Sequence, residues 1–310
     1  MKRREFLSTV AMLAGAFDYR SELASAGVSP RPGRRWQPQY SICSEIFEGW
    51  SVEKTAPVIA KIGYKALEIA PFWLAEHVDA ISTQRRKEIR RVLSDHGLVC
   101  SGLHWLLITP KWLHVTTPDE KVRSQSWEYV GKLIDLCADL GGKAMVLGSP
   151  KQRTSLGIPA PQAVDNLVAG LRQVAPHAGE RGVFLCMEPI PRNQQCDVVN
   201  TMAEAAGVVK RVNHPAVQSM FDVHNTADET ESADRLIHQY APIVRHVHIN
   251  EMDGSYPGSR GYDFKPVFRA LKEINYRGWT SLEVFDFKPG AEKIARESMD
   301  FMKRVAAQVS

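Results

Sequence analysis

Eight apolar runs of strand length alternate with helix-length amphipathic stretches after residue 40, and this alternation limits the fold more than any other feature. The runs are 40–47, 66–71, 99–105, 144–149, 183–190, 217–225, 243–250 and 279–287. Continuously apolar strands separated by helices imply a parallel sheet covered on both faces. Eight such units over about 270 residues fit a closed (β/α)8 TIM barrel, whose sites lie at the C-terminal ends of the strands. A doubly wound open sheet is disfavoured, because no GxGxxG follows the first strand. Between the runs, the patterning predicts helices near 51–63, 86–92, 118–140, 161–182, 202–212, 233–240, 264–274 and 290–305, with Ser51 an N-cap and Gly141-Gly142 a stop.

The last four runs share a second property. MEPI carries Glu188, FDVHN carries Asp222, HVHIN carries His248 and SLEVF carries Glu283, each near the C-terminal end of its strand. Such groups are costly to bury unless paired or metal-bound. Four of them on consecutive strands converge on one sector of the barrel mouth. Three carboxylates and one imidazole form a hard, oxygen-rich set. It suits one divalent ion, Mn²⁺ first, then Mg²⁺ or Co²⁺, with Zn²⁺ still open, better than it suits a structural zinc.

The N-terminus predicts a targeting segment over 1–26. Lys2, Arg3 and Arg4 precede a short apolar stretch, 6–17, and Ala24-Ser25-Ala26 fits a cleavage site. KRREFLST resembles a twin-arginine signal, which implies the Tat export machinery as a partner and a periplasmic location. Residues 27–39, with Arg31, Arg34 and Arg35, read as a solvated linker. The apolar stretch is too short to span a bilayer and no Cys follows it, so no stable membrane anchor is expected. A net charge of +4 over 310 residues gives no reason to expect nucleic acid as a partner. The cysteines, Cys43, Cys100, Cys137, Cys186 and Cys196, read as buried thiols, with a Cys186–Cys196 disulfide left open.

The barrel and this order of ligands resemble the xylose isomerase-like superfamily, and within it the sugar phosphate isomerase/epimerase family that includes D-tagatose 3-epimerase. The resemblance implies one metal held by Glu188, Asp222, His248 and Glu283. It also implies the two glutamates as acid and base on opposite faces of a keto-sugar, through a metal-stabilised enediolate. A Lewis acid on a carbonyl oxygen does acidify the neighbouring C–H, and a carboxylate within reach can then take the proton.

The resemblance further implies substrate contacts at Glu251 and Arg260. Where the family has a substrate-binding His three residues after the metal Asp, this chain has Asn225, with His224 one place earlier. If the strand continues, His224 shares the face of Asp222 and can take over that contact. Weaker candidates at other strand ends are Glu68, His104, Trp105 and Arg192 with Asn193. Lys151 and Arg153 follow strand four as candidate anion binders, and Trp73 and Trp112 are candidate pocket walls. His246 reads as a satisfied interior histidine.

The expected activity is a sugar isomerase or epimerase, with β-elimination of a 3-keto-glycoside as the alternative outcome of the same first step. Export argues for a non-phosphorylated sugar. A homo-oligomer is compatible with the resemblance. An apurinic endonuclease would need more strand-end histidines, and a catalytically silent sugar-binding protein would need a defective ligand set.

Overall fold

The computed structural model describes residues 36–309. The expected signal segment 1–26, with its twin-arginine-like stretch, and the Arg31, Arg34 and Arg35 cluster lie outside the described residues. From Trp36 onward the chain is one compact unit.

The eight expected strands form. They are β1 Gln39–Cys43, β2 Ala66–Ile69, β3 Val99–Leu103, β4 Ala144–Leu147, β5 Phe184–Met187, β6 Val217–Asp222, β7 Val244–Ile249 and β8 Trp279–Leu282. All pair in parallel in sequence order, and β1 pairs with β8 to close the barrel. The helices are α1 Val52–Ile62, α2 Pro71–Leu74, α3 Thr83–Asp95, α4 Glu120–Leu140, α5 Ala160–Glu180, α6 Met202–Val212, α7 Ala233–Tyr240, α8 Lys265–Glu273 and α9 Ala291–Val309. Ser51 caps α1, its hydroxyl accepting from Lys54 N. Gly141 ends α4 at φ 86°, a left-handed conformation that glycine adopts without steric cost.

The period-two alternation of the strands separates two apolar regions. Met145, Leu147, Leu185, Met187, Phe221, Val247, Ile249 and Leu282 join the large core between sheet and helices. Their neighbours Ala144, Val146, Cys186 and Met220 form a small plug inside the barrel. Continuing that inward parity one or two residues reaches Glu188, Asp222, His248 and Glu283. The parity that fills the barrel floor therefore also aims the four polar groups at its mouth.

Three boundaries differ from expectation. The barrel starts earlier than residue 40: Trp36 is buried and donates from Nε1 to Tyr276 O at 2.8 Å, which shortens the expected linker. The first run is not one strand, because Ser44–Phe47 turns into a 3₁₀ helix. The sixth strand stops at Asp222, and His224–Thr226 is a further 3₁₀ turn, so His224 does not continue the face of Asp222. All five cysteines are buried and free, so Cys186 and Cys196 are not bridged. Among the described residues, no helix is long and apolar enough to cross a membrane.

Candidate active site

Glu188 and Glu283 each follow the last residue of their strand, Asp222 is the last residue of β6, and His248 lies in β7 directly beside Asp222. One donor atom from each of the four lies within 4.8 Å of the others, and all four residues are buried. Glu188 and Glu283 of this cluster line a cavity of about 440 Å³, together with His104, Trp105, Lys151, His224, Asn225 and Phe285, among others.

Their surroundings differ. Glu283 is held from three sides. Trp105 Nε1 donates to Oε1 at 2.8 Å, His104 Nδ1 lies 3.1 Å from the same oxygen, and His248 Nδ1 lies 3.0 Å from Oε2. Burial alone would raise its pKa, but the charge of His248 and the hydrogen bond from His104 outweigh burial and hold the carboxyl well below the usual range. Among the described residues Glu188 receives one side-chain donor, Asn225 Nδ2, at 2.9 Å from Oε1. Burial, then the Glu283 and Asp222 charges, push Glu188 up to about 8. Asp222 rises to about 6 by burial and by Glu283. Its Oδ1 accepts from His224 N at 2.9 Å, whereas the buried Oδ2 has no hydrogen-bond partner among the described residues.

A buried carboxylate oxygen without a donor is costly. An imidazole nitrogen and three clustered carboxylates supply the remaining donors for a divalent ion, and a cation in their midst would relieve both the repulsion and the orphaned oxygen.

Two residues that shape the site are not obvious from the sequence. A Cβ on Gly148 would lie 2.0 Å from Glu188 Oε2, so glycine at this position makes room for the carboxylate. Glu45, in the 3₁₀ turn after β1, places Oε2 2.8 Å from His104 Nε2, so His104 bridges Glu45 and Glu283. Burial pushes Glu45 up, and the carboxylates of Glu45 and Glu283 raise His104 despite its burial.

The other candidates divide. Trp105 and His104 reach the site, with the Trp105 backbone at φ 50°, a strained conformation for an aromatic residue. His224 lines the cavity from its turn. Its Nδ1 lies 2.8 Å from Met252 O, which requires a donor there and leaves Nε2 for a ligand. Trp105, Phe285 and His224 form an aromatic wall, with neighbouring ring centroids 6.0 and 5.1 Å apart. Asn225 serves Glu188, as described.

Glu68, Glu251, Arg260 and Arg192 do not line the cavity. Glu68 lies a layer deeper, fully buried against His246 and His248. Glu251 accepts from the backbone N–H groups of Gly258, Arg260 and Tyr262, so it braces its own loop. Arg260 pairs with Asp253 and Arg192 with Asp228, both at exposed positions. Arg153 is not an anion binder either. Its guanidinium is fully buried and donates to Leu147 O and Glu188 O, tying the ends of β4 and β5 together. Lys151 lines the cavity, Trp73 donates to Phe47 O from a half-buried position, and Trp112 is exposed. His246 is an interior histidine bonded to Glu68, as expected.

Comparison with known proteins agrees with this architecture. D-psicose 3-epimerase of Agrobacterium fabrum is 27% identical over 234 residues, covering 73% of this chain and 77% of that protein. The 3-dehydro-D-guloside 4-epimerase of Escherichia coli is 25% identical over 171 residues, covering 53% and 65%. Among solved structures, a D-psicose 3-epimerase crystallised in the presence of D-fructose superposes with a TM-score of 0.74 at 22% identity, covering 86% of this chain and 99% of that one. The family described as xylose isomerase-like TIM barrel matches residues 57–305. The chain therefore belongs to the xylose isomerase-like TIM barrel family.

Proposed function

We propose that this protein is a divalent-metal-dependent epimerase of a non-phosphorylated ketose or keto-sugar. The observation that carries the proposal is the convergence of Glu188, Asp222, His248 and Glu283 within 4.8 Å at a cavity with an aromatic wall. The curated relatives above are sugar epimerases by name, one for a ketose and one for a keto-glycoside, which supports the same reaction class.

Glu188, Asp222, His248 and Glu283 would hold the ion, which would supply Lewis-acid stabilisation for the negative charge that develops beside the substrate carbonyl. Every other part falls to the chain's own groups. The aromatic wall offers apolar faces to the C–H surface of a sugar ring. His224 Nε2 is available to a hydroxyl. Glu188 and Glu283 stand as acid and base beside the reacting carbon. Inversion at one carbon needs a proton taken on one face and returned on the other, and two carboxylates can do both.

A neutral substrate is supported by the lining, where among the described residues Lys151 is the single Lys or Arg beside the acids Glu188, Asp253 and Glu283. The twin-arginine-like segment supports export to the periplasm, where free sugars rather than sugar phosphates are met. One more distant relative is a dehydratase by name, but the relatives above are epimerases, so β-elimination or dehydration is the less favoured outcome.

The test is an NMR assay against ketohexoses and 3-keto-glycosides before and after chelation. Turnover that chelation abolishes and Mn²⁺ restores is the expected result. Full turnover in metal-free protein would overturn the proposal.

A further inference from the structure

Among the described residues Glu68 has no Lys or Arg partner, and it is fully buried one layer below the cavity. Its hydrogen-bonding neighbours are two imidazoles and a thiol. His246 Nε2 lies 2.7 Å from Oε2, His248 Nε2 lies 3.2 and 3.3 Å from the two oxygens, and Cys43 Sγ lies 3.7 Å from Oε2. Burying an acid this way is costly, so its place calls for an account of what it does to those imidazoles.

His248 is also fully buried, and its two ring nitrogens face opposite ways. Nε2 faces Glu68, and Nδ1 faces the Glu283 side of the ligand cluster. A neutral imidazole has one N–H and one lone pair, and only the lone pair can ligate an ion. Both nitrogens face a carboxylate oxygen that would accept a proton. If the proton sat on Nδ1, Glu283 Oε2 at 3.0 Å would accept it and the ligand position would close. The Nδ1 contact lacks hydrogen-bond geometry, and that nitrogen has no hydrogen-bond partner among the described residues. The Nε2 contacts with Glu68 do have hydrogen-bond geometry.

We propose that Glu68, reaching across the barrel from β2 to β7, is a positioning residue that keeps the His248 proton on Nε2 and thereby presents the Nδ1 lone pair to the metal. This rests on the metal-site reading above. A carboxylate behind a ligating histidine fixes its tautomer and ring angle, and loss of such a partner typically weakens metal binding by about 10–100-fold. His246 shares the same carboxylate and stiffens it from below.

The test is calorimetric titration of the metal-free full-length protein with Mn²⁺ alone, beside Glu68→Leu and Glu68→Gln. Leu keeps most of the volume and has no acceptor, whereas the Gln carbonyl can still accept from Nε2. The expected order of affinity is wild type, then Gln, then Leu, with Leu about 10–100-fold weaker than wild type. A role in packing alone predicts equal affinities, and that result would overturn the proposal. Absence of Mn²⁺ binding in the wild type would overturn the metal-site reading along with it, while equal binding in all three proteins overturns only the role of Glu68.

A second measurement needs no variant. In ¹⁵N-histidine spectra of wild-type protein loaded with Zn²⁺, His248 is expected to carry its proton on Nε2. A proton on Nδ1 would contradict the assignment.

Discussion

Asn225 Nδ2 donates to Glu188 Oε1 at 2.9 Å, and Gln194 Nε2 donates to Asn225 Oδ1 at 2.8 Å. The second bond assigns the first, since an amide that accepts at oxygen presents its nitrogen to the carboxylate. Asn225 stands where the resembling family has a substrate-binding histidine. In this chain it tunes a glutamate instead. Asn225→Leu removes the one side-chain donor to Glu188, so the carboxyl will titrate higher still. We expect Mn²⁺ affinity at pH 7 to fall about tenfold, as for loss of a ligand's hydrogen-bond partner. Calorimetry of the folded variant measures it.

Gly148→Ala tests the space beside Glu188. The clash is with the far end of a flexible side chain, so the fold should keep its melting temperature within a few degrees while the carboxylate swings away. Metal affinity and turnover should both drop. Thermal melts paired with Mn²⁺ titration separate this result from general destabilisation.

The raised carboxylates make metal binding pH-dependent. Below about 8, Glu188 holds a proton in the metal-free protein, and below about 6 so does Asp222. An ion must displace those protons and the one that the Glu283 and Glu68 charges hold on His248 despite its burial, so apparent affinity should rise from pH 6 to 8, with more than one proton released per ion near pH 7. Titration in buffers of different ionisation enthalpy counts those protons. The stability of the metal-free protein follows the same linkage. Glu188 is raised in the folded state, so its contribution is full below its unfolded value and is lost as the pH rises through about 8. Glu188→Gln should flatten this part of the pH–stability curve.

Trp105→Phe keeps an aromatic ring at the wall and removes the N–H that donates to Glu283 at 2.8 Å. Loss of a hydrogen bond to a charged group costs about 1.5–3 kcal/mol. If that loss is felt in the transition state, kcat/KM falls about tenfold or more, with the larger share in kcat, as steady-state kinetics can show.

The barrel and the convergence of these four polar residues were legible because both follow from one pattern. Period-two alternation sends Val146, Cys186 and Met220 inward, and the same parity carries Glu188, Asp222, His248 and Glu283 to the mouth. Contacts set by chain reversals beyond the strands were not legible. Glu45 reaches His104 because the chain leaves β1 in a 3₁₀ turn, although the apolar run reads as unbroken strand. Arg153 looks like a loop cation, yet it is buried among carbonyls, because the loop that carries it folds back over the ends of β4 and β5. Glu251 and Arg260 were placed at the substrate by resemblance. The structure gives Glu251 to its own loop backbone and Arg260 to Asp253. Glycine carries no side chain to signal its purpose, so Gly148 emerged only once Glu188 was placed beside it.

The most direct test of the central claim is solvent exchange at the reacting carbon. Mn²⁺-loaded protein is incubated in D₂O with ketohexoses and 3-keto-glycosides, beside Glu188→Gln and Glu283→Gln, and the sugars are read by mass spectrometry and NMR. One deuterium at a single inverted carbon, absent with either variant, is the predicted result. Inversion without deuterium, or exchange undiminished in both variants, would contradict proton abstraction by this pair of glutamates.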